Sequence, residues 1–178
     1  GLGVVQSYEE AVKWYRKSAE QGYARAQYNL GRCYEDGLGA PQCYEEAVKW
    51  YSMSAKQGFV NAQCRLGSLY FMGLGVDLSM EKCVKWYCKA AKQGDVDAQF
   101  FIAVCYESGI GGAKSCEEAI KWYRKAAEQG SSAAQRNLAY CYEKGKGIAK
   151  NIDATVAWYR KAANQGDNSA MESLERLT

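Results

Sequence analysis

The sequence predicts an all-α fold, a solenoid of antiparallel helix pairs with a 36-residue period. Three observations carry that prediction. All five tryptophans, Trp14, Trp50, Trp86, Trp122 and Trp158, stand 36 residues apart, and Gly22, Gly58, Gly94, Gly130 and Gly166 keep the same step. Each period holds two stretches whose apolar residues recur at spacings of three and four, as on one face of a helix. No stretch alternates apolar and polar residues as a half-buried strand does. A fixed period of this size marks a stack of supersecondary units, each burying its core against its neighbours.

The first helix of a unit is typified by residues 43–58, CYEEAVKWYSMSAKQG, where Ala47, Val48, Tyr51, Ser54 and Ala55 form the apolar face. One column, Ser7, Cys43, Ser79, Ser115 and Asn151, marks its start. Four of these five carry a side-chain oxygen able to accept from a free N–H of the first turn. Ser7 with Glu10, and Ser115 with Glu118, have the spacing of capping boxes. A Gln-Gly pair ends the helix, because glycine takes the left-handed conformation at low cost.

The second helix is typified by NAQCRLGSLYFMG from Asn61, with Ala62, Leu66, Gly67 and Tyr70 on its apolar face. Leu30, Leu66, Ile102, Leu138 and Leu174 share its central column, and Gly31, Gly67, Ala103 and Ala139 stand beside them, small enough for a neighbouring helix to come close. The connections GLGAPQ, GLGVDL, GIGGAK and GKGIAK each hold paired glycines suited to a tight turn. Leu66, Ile102, Leu138, Tyr51, Tyr87 and Tyr123 are expected to be buried between units.

The run Ala-x-x-Trp-Tyr-x-x-Ala-Ala-x-Gln-Gly, then Ala-Gln-x-x-Leu-Gly-x-x-Tyr-x-x-Gly-x-Gly, resembles the Sel-one-like repeat, a relative of the tetratricopeptide repeat. Residues 121–147 carry it with Ala139 in place of glycine. The resemblance implies a right-handed α-solenoid whose concave surface is lined by the Leu-Gly-x-x-Tyr helices. It also implies a scaffold or adaptor role, as in signalling, quality control of misfolded proteins, or bacterial effectors. Residues 1–178 then form one array of about four full repeats with partial repeats at its ends. Gly1 is expected in an inter-helix loop and Thr178 in the last turn of an unpartnered helix. The chain is therefore expected to be an excerpt of a longer array, a monomer or weakly self-associating through uncapped ends.

Eight cysteines raise the question of disulfides. A cysteine-rich secreted branch of the resembled family implies bridges between residues eight apart. The matching columns here hold Ala19 with Gln27, Ala55 with Gln63, Ala91 with Gln99 and Ala127 with Gln135, so that pairing does not transfer. Cys33, Cys105 and Cys141 share a column suited to a small buried residue. Closure of an inter-helix loop by Cys33 with Cys43, or Cys105 with Cys116, is the alternative to free thiols. Free thiols favour a reducing, cytoplasmic compartment over secretion as an effector.

Histidine is absent and no Cys-x-x-Cys occurs, so no metal, no cofactor and no acid–base machinery is expected. The sequence GIGGAKS at Gly109 lacks the order of a phosphate loop and follows a helix. Glu9, Glu45, Glu81 and Glu117 each stand four residues before a lysine, Lys13, Lys49, Lys85 and Lys121, as in exposed ion pairs. The net charge of +3 is mixed along the chain, which argues against nucleic acid, and no apolar run approaches membrane-spanning length. The tryptophan column is read as packing rather than as stacking platforms.

Function is then expected where the repeats differ. By analogy with tetratricopeptide grooves, the concave columns are Arg25, Tyr28, Arg32 and Glu35; Asn61, Cys64, Arg65, Ser68, Phe71 and Met72; Asp97, Phe100, Val104 and Glu107; and Ala133, Arg136, Tyr140 and Glu143. Phe71, Met72, Phe100 and Val104 form the expected apolar floor for a protein or peptide partner. Tyr28 and Tyr140 flank it, and Arg25, Arg32, Arg65 and Arg136 supply charge. A structural spacer in a larger signalling or effector protein, or a cysteine-rich repeat hydrolase, are the alternatives.

Overall fold

The protein is described by a computed structural model over residues 7–112 and 114–177. Among these residues there are ten helices and no strand: α1 Tyr8–Glu20, α2 Ala24–Asp36, α3 Tyr44–Lys56, α4 Val60–Met72, α5 Met80–Lys92, α6 Val96–Ser108, α7 Cys116–Glu128, α8 Ser132–Lys144, α9 Ile152–Ala163 and α10 Asn168–Leu177. Odd-numbered helices carry the tryptophans and even-numbered ones the Leu-Gly columns. The chain forms two compact units, one reaching to Ala90 and the other starting at Ala91. In the first, α1 packs on α2, α2 on α3 and α3 on α4; in the second, α6 to α10 pack in succession. The expected placements of Gly1 and Thr178 lie outside the described residues.

The helix starts follow the expected column. Ser7, Ser79, Ser115 and Asn151 accept from the backbone N–H three residues on at 2.9–3.3 Å, and Cys43 makes no such bond. The capping boxes form only in half. Ser7 Oγ donates to Glu9 and Ser115 Oγ to Glu117, while Glu118 turns to Lys121. The expected ion pairs at four residues shift for the same reason. Lys49 pairs with Glu46 and Lys121 with Glu118, three residues back, because Glu45 and Glu117 are engaged by the cap residues Cys43 and Ser115. Helix α1 ends in a Schellman motif, repeated in α3, α7 and α9: Gly22 N–H donates to the Ala19 carbonyl and Tyr23 N–H to Ser18, with Gly22 at φ +93°.

The second glycine of each turn has a stricter task. A Cβ on Gly39 would lie 2.2 Å from the Tyr8 carbonyl oxygen, and one on Gly75 2.4 Å from the Tyr44 carbonyl carbon. The turns after α2 and α4 thus lie against the first residues of α1 and α3, backbone on backbone.

Between repeats the small column receives a tyrosine. A Cβ on Gly31 would lie 2.8 Å from the Tyr51 ring, and one on Gly67 2.7 Å from the Tyr87 ring. Tyr51, Tyr123 and Tyr159 are buried, and their hydroxyls donate to Glu35, Glu107 and Glu143 at 2.5, 2.7 and 3.0 Å. Burial, reinforced by each carboxylate, raises these phenols above the ordinary tyrosine range, Tyr159 up to about 12. Tyr87, expected to be buried, is only partly so. Phe71 holds the column that supplies carboxylates elsewhere, and the Tyr87 hydroxyl shares a 2.7 Å hydrogen bond with Ser68.

A ladder of glutamines runs through the repeats. Gln27, Gln63, Gln99 and Gln135 are buried and donate Nε2 to the Ala19, Ala55, Ala91 and Ala127 carbonyls at 3.0–3.2 Å. Their Oε1 atoms are acceptors in turn: Gln57 donates to Gln27, Gln129 to Gln99 and Gln165 to Gln135, at 2.7–2.8 Å. These are the columns where the cysteine-rich relatives imply bridges, so a hydrogen bond ties the two helices here. Gln135→Ala should remove two hydrogen bonds, one to the Ala127 carbonyl, which keeps the Gly130 N–H, and one from Gln165, at about 0.5–1.5 kcal/mol each. Urea unfolding measures it, and exposed Gln129→Ala should cost less.

None of the eight cysteines is in a disulfide, and Cys33, Cys105 and Cys141 are buried. Burial pushes the Cys105 and Cys141 thiols up to about 11, away from reactivity. Of the tryptophans, Trp50 and Trp122 are buried, but Trp14 is exposed and corrects the expected packing role there. Lys17, Lys89, Lys125 and Lys161 lie over the rings of Trp14, Trp86, Trp122 and Trp158 at 4.1–5.6 Å. In the second repeat Met53 occupies that lysine column, and Lys49 covers Trp50 at 5.5 Å.

Candidate partner-binding surface

The Leu-Gly helices place the expected site residues at regular intervals, because each of their columns recurs at every 36th position. In the first unit, Arg25 is exposed at the start of α2. The Tyr28 ring is half-buried, 5.6 Å from Tyr51 and 5.1 Å from Phe59. Arg32 lies 3.8 Å from Asp36 on its own helix. Arg65 reaches from α4 to within 3.9 Å of Glu35, the carboxylate that also accepts from Tyr51. Tyr28 and Arg65 therefore meet around the Tyr51 lock. Phe71 and Met72 close α4 with 45% and 49% of their surfaces exposed.

In the second unit, Phe100 is half-buried with its ring 6.0 Å from Tyr123, and Val104 is half-buried one turn on. Phe100 thus repeats the packing of Tyr28. Arg136 is paired at 3.1 Å with Asp167, whose carboxylate is nearly buried and accepts from the Ala170 N–H at the start of α10. Tyr140 is exposed, with Lys144 and Lys146 over its ring at 5.8 and 4.9 Å.

The expected floor therefore divides between the units, and its members differ in kind. Phe71, Met72 and Tyr140 are exposed, whereas Phe100 and Tyr28 face the tyrosine of the next repeat. Of the expected cationic anchors, Arg32, Arg65 and Arg136 already have carboxylates beside them.

Sequence reasoning missed the role of Glu35, Glu107 and Glu143 as locks between repeats. Glu143 accepts from Tyr159, Lys144 at 2.7 Å and Arg176 at 2.9 Å. Burial alone would raise its pKa, but the three donors outweigh that and hold it below the usual carboxylate value. The signal was available: a glutamate column broken only by Phe71, with a tyrosine 16 residues after each member.

Among the described residues no group of His, Cys, Asp or Glu is arranged to hold a metal ion, and no helix is long and apolar enough to cross a membrane.

The Sel1 repeat family matches residues 1–23, 24–59, 60–95, 96–131 and 132–167. A protective antigen of uropathogenic Escherichia coli displaying an SLR fold is 38% identical, with a TM-score of 0.90 over 98% of this chain. The chain spans only 37% of that antigen's length. A Sel1 repeat protein from Oxalobacter formigenes is 40% identical, with a TM-score of 0.87, over 97% of this chain and 71% of its own. Cysteine rich protein B of Helicobacter pylori shares the fold at 24% identity and a TM-score of 0.56, over 75% of this chain and 97% of its own. No curated protein matches the chain.

Proposed function

The chain belongs to the Sel1 repeat family, and from that premise we propose that it is a protein-interaction scaffold. It binds an apolar segment of a partner on its Leu-Gly helices. Phe71 and Met72 are the contact residues of the first unit; Val104 and Tyr140, with the edge of Phe100, are those of the second. One observation carries this reading: Phe71 and Met72 leave nearly half of their surfaces in solvent at the end of α4, in columns held by Glu35 and Asp36 in α2. Large apolar side chains exposed together mark interaction sites on soluble proteins. Aromatic residues carry much of the binding energy at such sites. Among the cations, exposed Arg25 is best placed to take an acidic group of the partner.

A displayed library of amphipathic segments, selected on the parent chain, supplies ligands for the test. Phe71→Ala/Met72→Ala should weaken their binding by about tenfold or more, the scale of interface hot spots. The helical circular-dichroism signal and the melting temperature should stay close to those of the parent. Unchanged binding, or a variant that no longer folds, overturns the assignment.

A further inference from the structure

The turn after α8 departs from its counterparts in charge. Its sequence KGKGIAK sets Lys144, Lys146 and Lys150 in columns that are mostly uncharged or acidic elsewhere. After α2 the same columns hold Asp36, Leu38 and Gln42; after α4, Met72, Leu74 and Leu78; after α6, Ser108, Ile110 and Lys114. Closing the helix does not require the lysines. α2, α4 and α6 end on the same left-handed glycine as α8, with no basic residue in their last turns. Nor does either end of the chain create the opening, because Gln42, Leu78 and Lys114 are exposed just as Lys150 is.

Two of the ammonium groups lie over one aromatic ring. Lys144 and Lys146 are 5.8 and 4.9 Å from the centre of Tyr140, which is itself 39% exposed. A Cβ on Gly145 would meet Lys150 Cγ at 3.1 Å and Cε at 3.7 Å. The Lys150 stem therefore lies along the residue that separates Lys144 from Lys146. Lys144 pairs with Glu143 at 2.7 Å and Lys146 with Glu107 at 3.7 Å. Among the described residues Lys150 pairs with no carboxylate. Glu143 is nearly buried and also accepts from Tyr159 and Arg176. Three cations thus share two carboxylates, Lys150 adds a fourth, and a surplus of positive charge faces solvent at this turn.

We infer that this turn is the acid-binding anchor of the second unit, as Arg25 is of the first. Lys144, Lys146 and Lys150 take the carboxylates of an acidic segment of another protein, and Tyr140 takes the apolar residue beside them. Charge complementarity of this kind fixes orientation and speeds encounter, while an exposed tyrosine supplies binding energy.

Other polyanions fit less well. A protein held to an anionic membrane by charge carries a cluster of about four to eight basic residues, and this turn offers three. A nucleic acid is met by a basic stripe along a face, whereas the turn after α2 ends in Asp36 and that after α4 is apolar. A short acidic segment matches a cationic patch confined to one turn.

The inference rests on reading Tyr140 as a contact residue, but the lysines play no part in the Phe71 and Met72 patch, so the two readings can fail separately. The probe is a fluorescein-labelled peptide, Glu-Glu-Leu-Leu-Glu-Glu, whose binding is followed by fluorescence anisotropy. The parent chain should bind it and should not bind the version with glutamine in place of glutamate. Binding should weaken as salt is raised, since the screening length falls from about 10 Å at 0.1 M to about 3 Å at 1 M. Lys146→Glu/Lys150→Glu should weaken binding by about tenfold or more. Lys150→Glu alone, which breaks no ion pair among the described residues, should weaken it by a smaller factor with the melting temperature unchanged. Lys56→Glu/Lys92→Glu changes the net charge equally at exposed lysines elsewhere and should leave binding within about twofold. Phe71→Ala/Met72→Ala should bind this peptide as the parent does. The inference is overturned if the parent ignores the peptide, if both lysine pairs lose binding equally, or if Lys150→Glu and the double variant retain it. Capture of the parent by phosphatidylserine vesicles in place of the peptide overturns it too.

Discussion

Gly75→Ala should destabilise the protein by about 4 kcal/mol or more, in the range reserved for changes that violate a backbone constraint. Two effects add. At φ +68° an L side chain is strained by about 1–2 kcal/mol. The new Cβ would also lie 2.4 Å from the Tyr44 carbonyl carbon, a contact that no rotamer can relieve because the backbone fixes the place of both atoms. The turn after α4 would have to lift from the start of α3. Gly58→Ala separates the two: its φ is +93°, yet nothing lies within 4 Å of where its Cβ would sit. It should cost only the conformational share, about 1–2 kcal/mol. Urea denaturation of the pair checks this, and equal losses would show that the close approach contributes nothing.

Leu138→Ala should be the next largest, costing about 2–5 kcal/mol as a buried leucine truncation. Leu138 is fully buried at the centre of α8, and α8 packs on both α7 and α9. Leu174, its counterpart in α10, is only partly buried and packs at the end of the succession. Leu174→Ala should therefore cost clearly less. In a stack of nearest-neighbour interfaces the loss spreads along the repeats rather than across the whole chain. Hydrogen exchange should show amides of α7 to α9 losing protection in Leu138→Ala, with those of α1 to α3 little changed.

The repeat, the helix pairs, the caps and the buried leucine column were legible in the sequence because they depend on local rules. Helical periodicity, an oxygen at the N-cap and a glycine after the last turn act within a few residues, and the 36-residue period shows each of them repeatedly. Even the requirement for small residues beside the leucines could be read, since only bulk at one column was at issue. The surface was less legible. Phe71 and Phe100 look alike as letters, yet one is exposed and the other lies against Tyr123.

That this chain is a stack of antiparallel helix pairs follows from its order of residues, because periodicity and capping are properties of neighbours along the chain. Which partners the polar side chains take depends on how the helices pack. The glutamates of one repeat serve the tyrosines of the next, Gln27 ties Ala19 to Gln57, and Lys49 and Lys121 choose the carboxylates three residues back. The physical reason is range. An apolar residue is buried by any well-shaped neighbour, whereas a hydrogen bond needs one atom within about 3 Å and correctly aligned. That geometry exists only after the helices have packed.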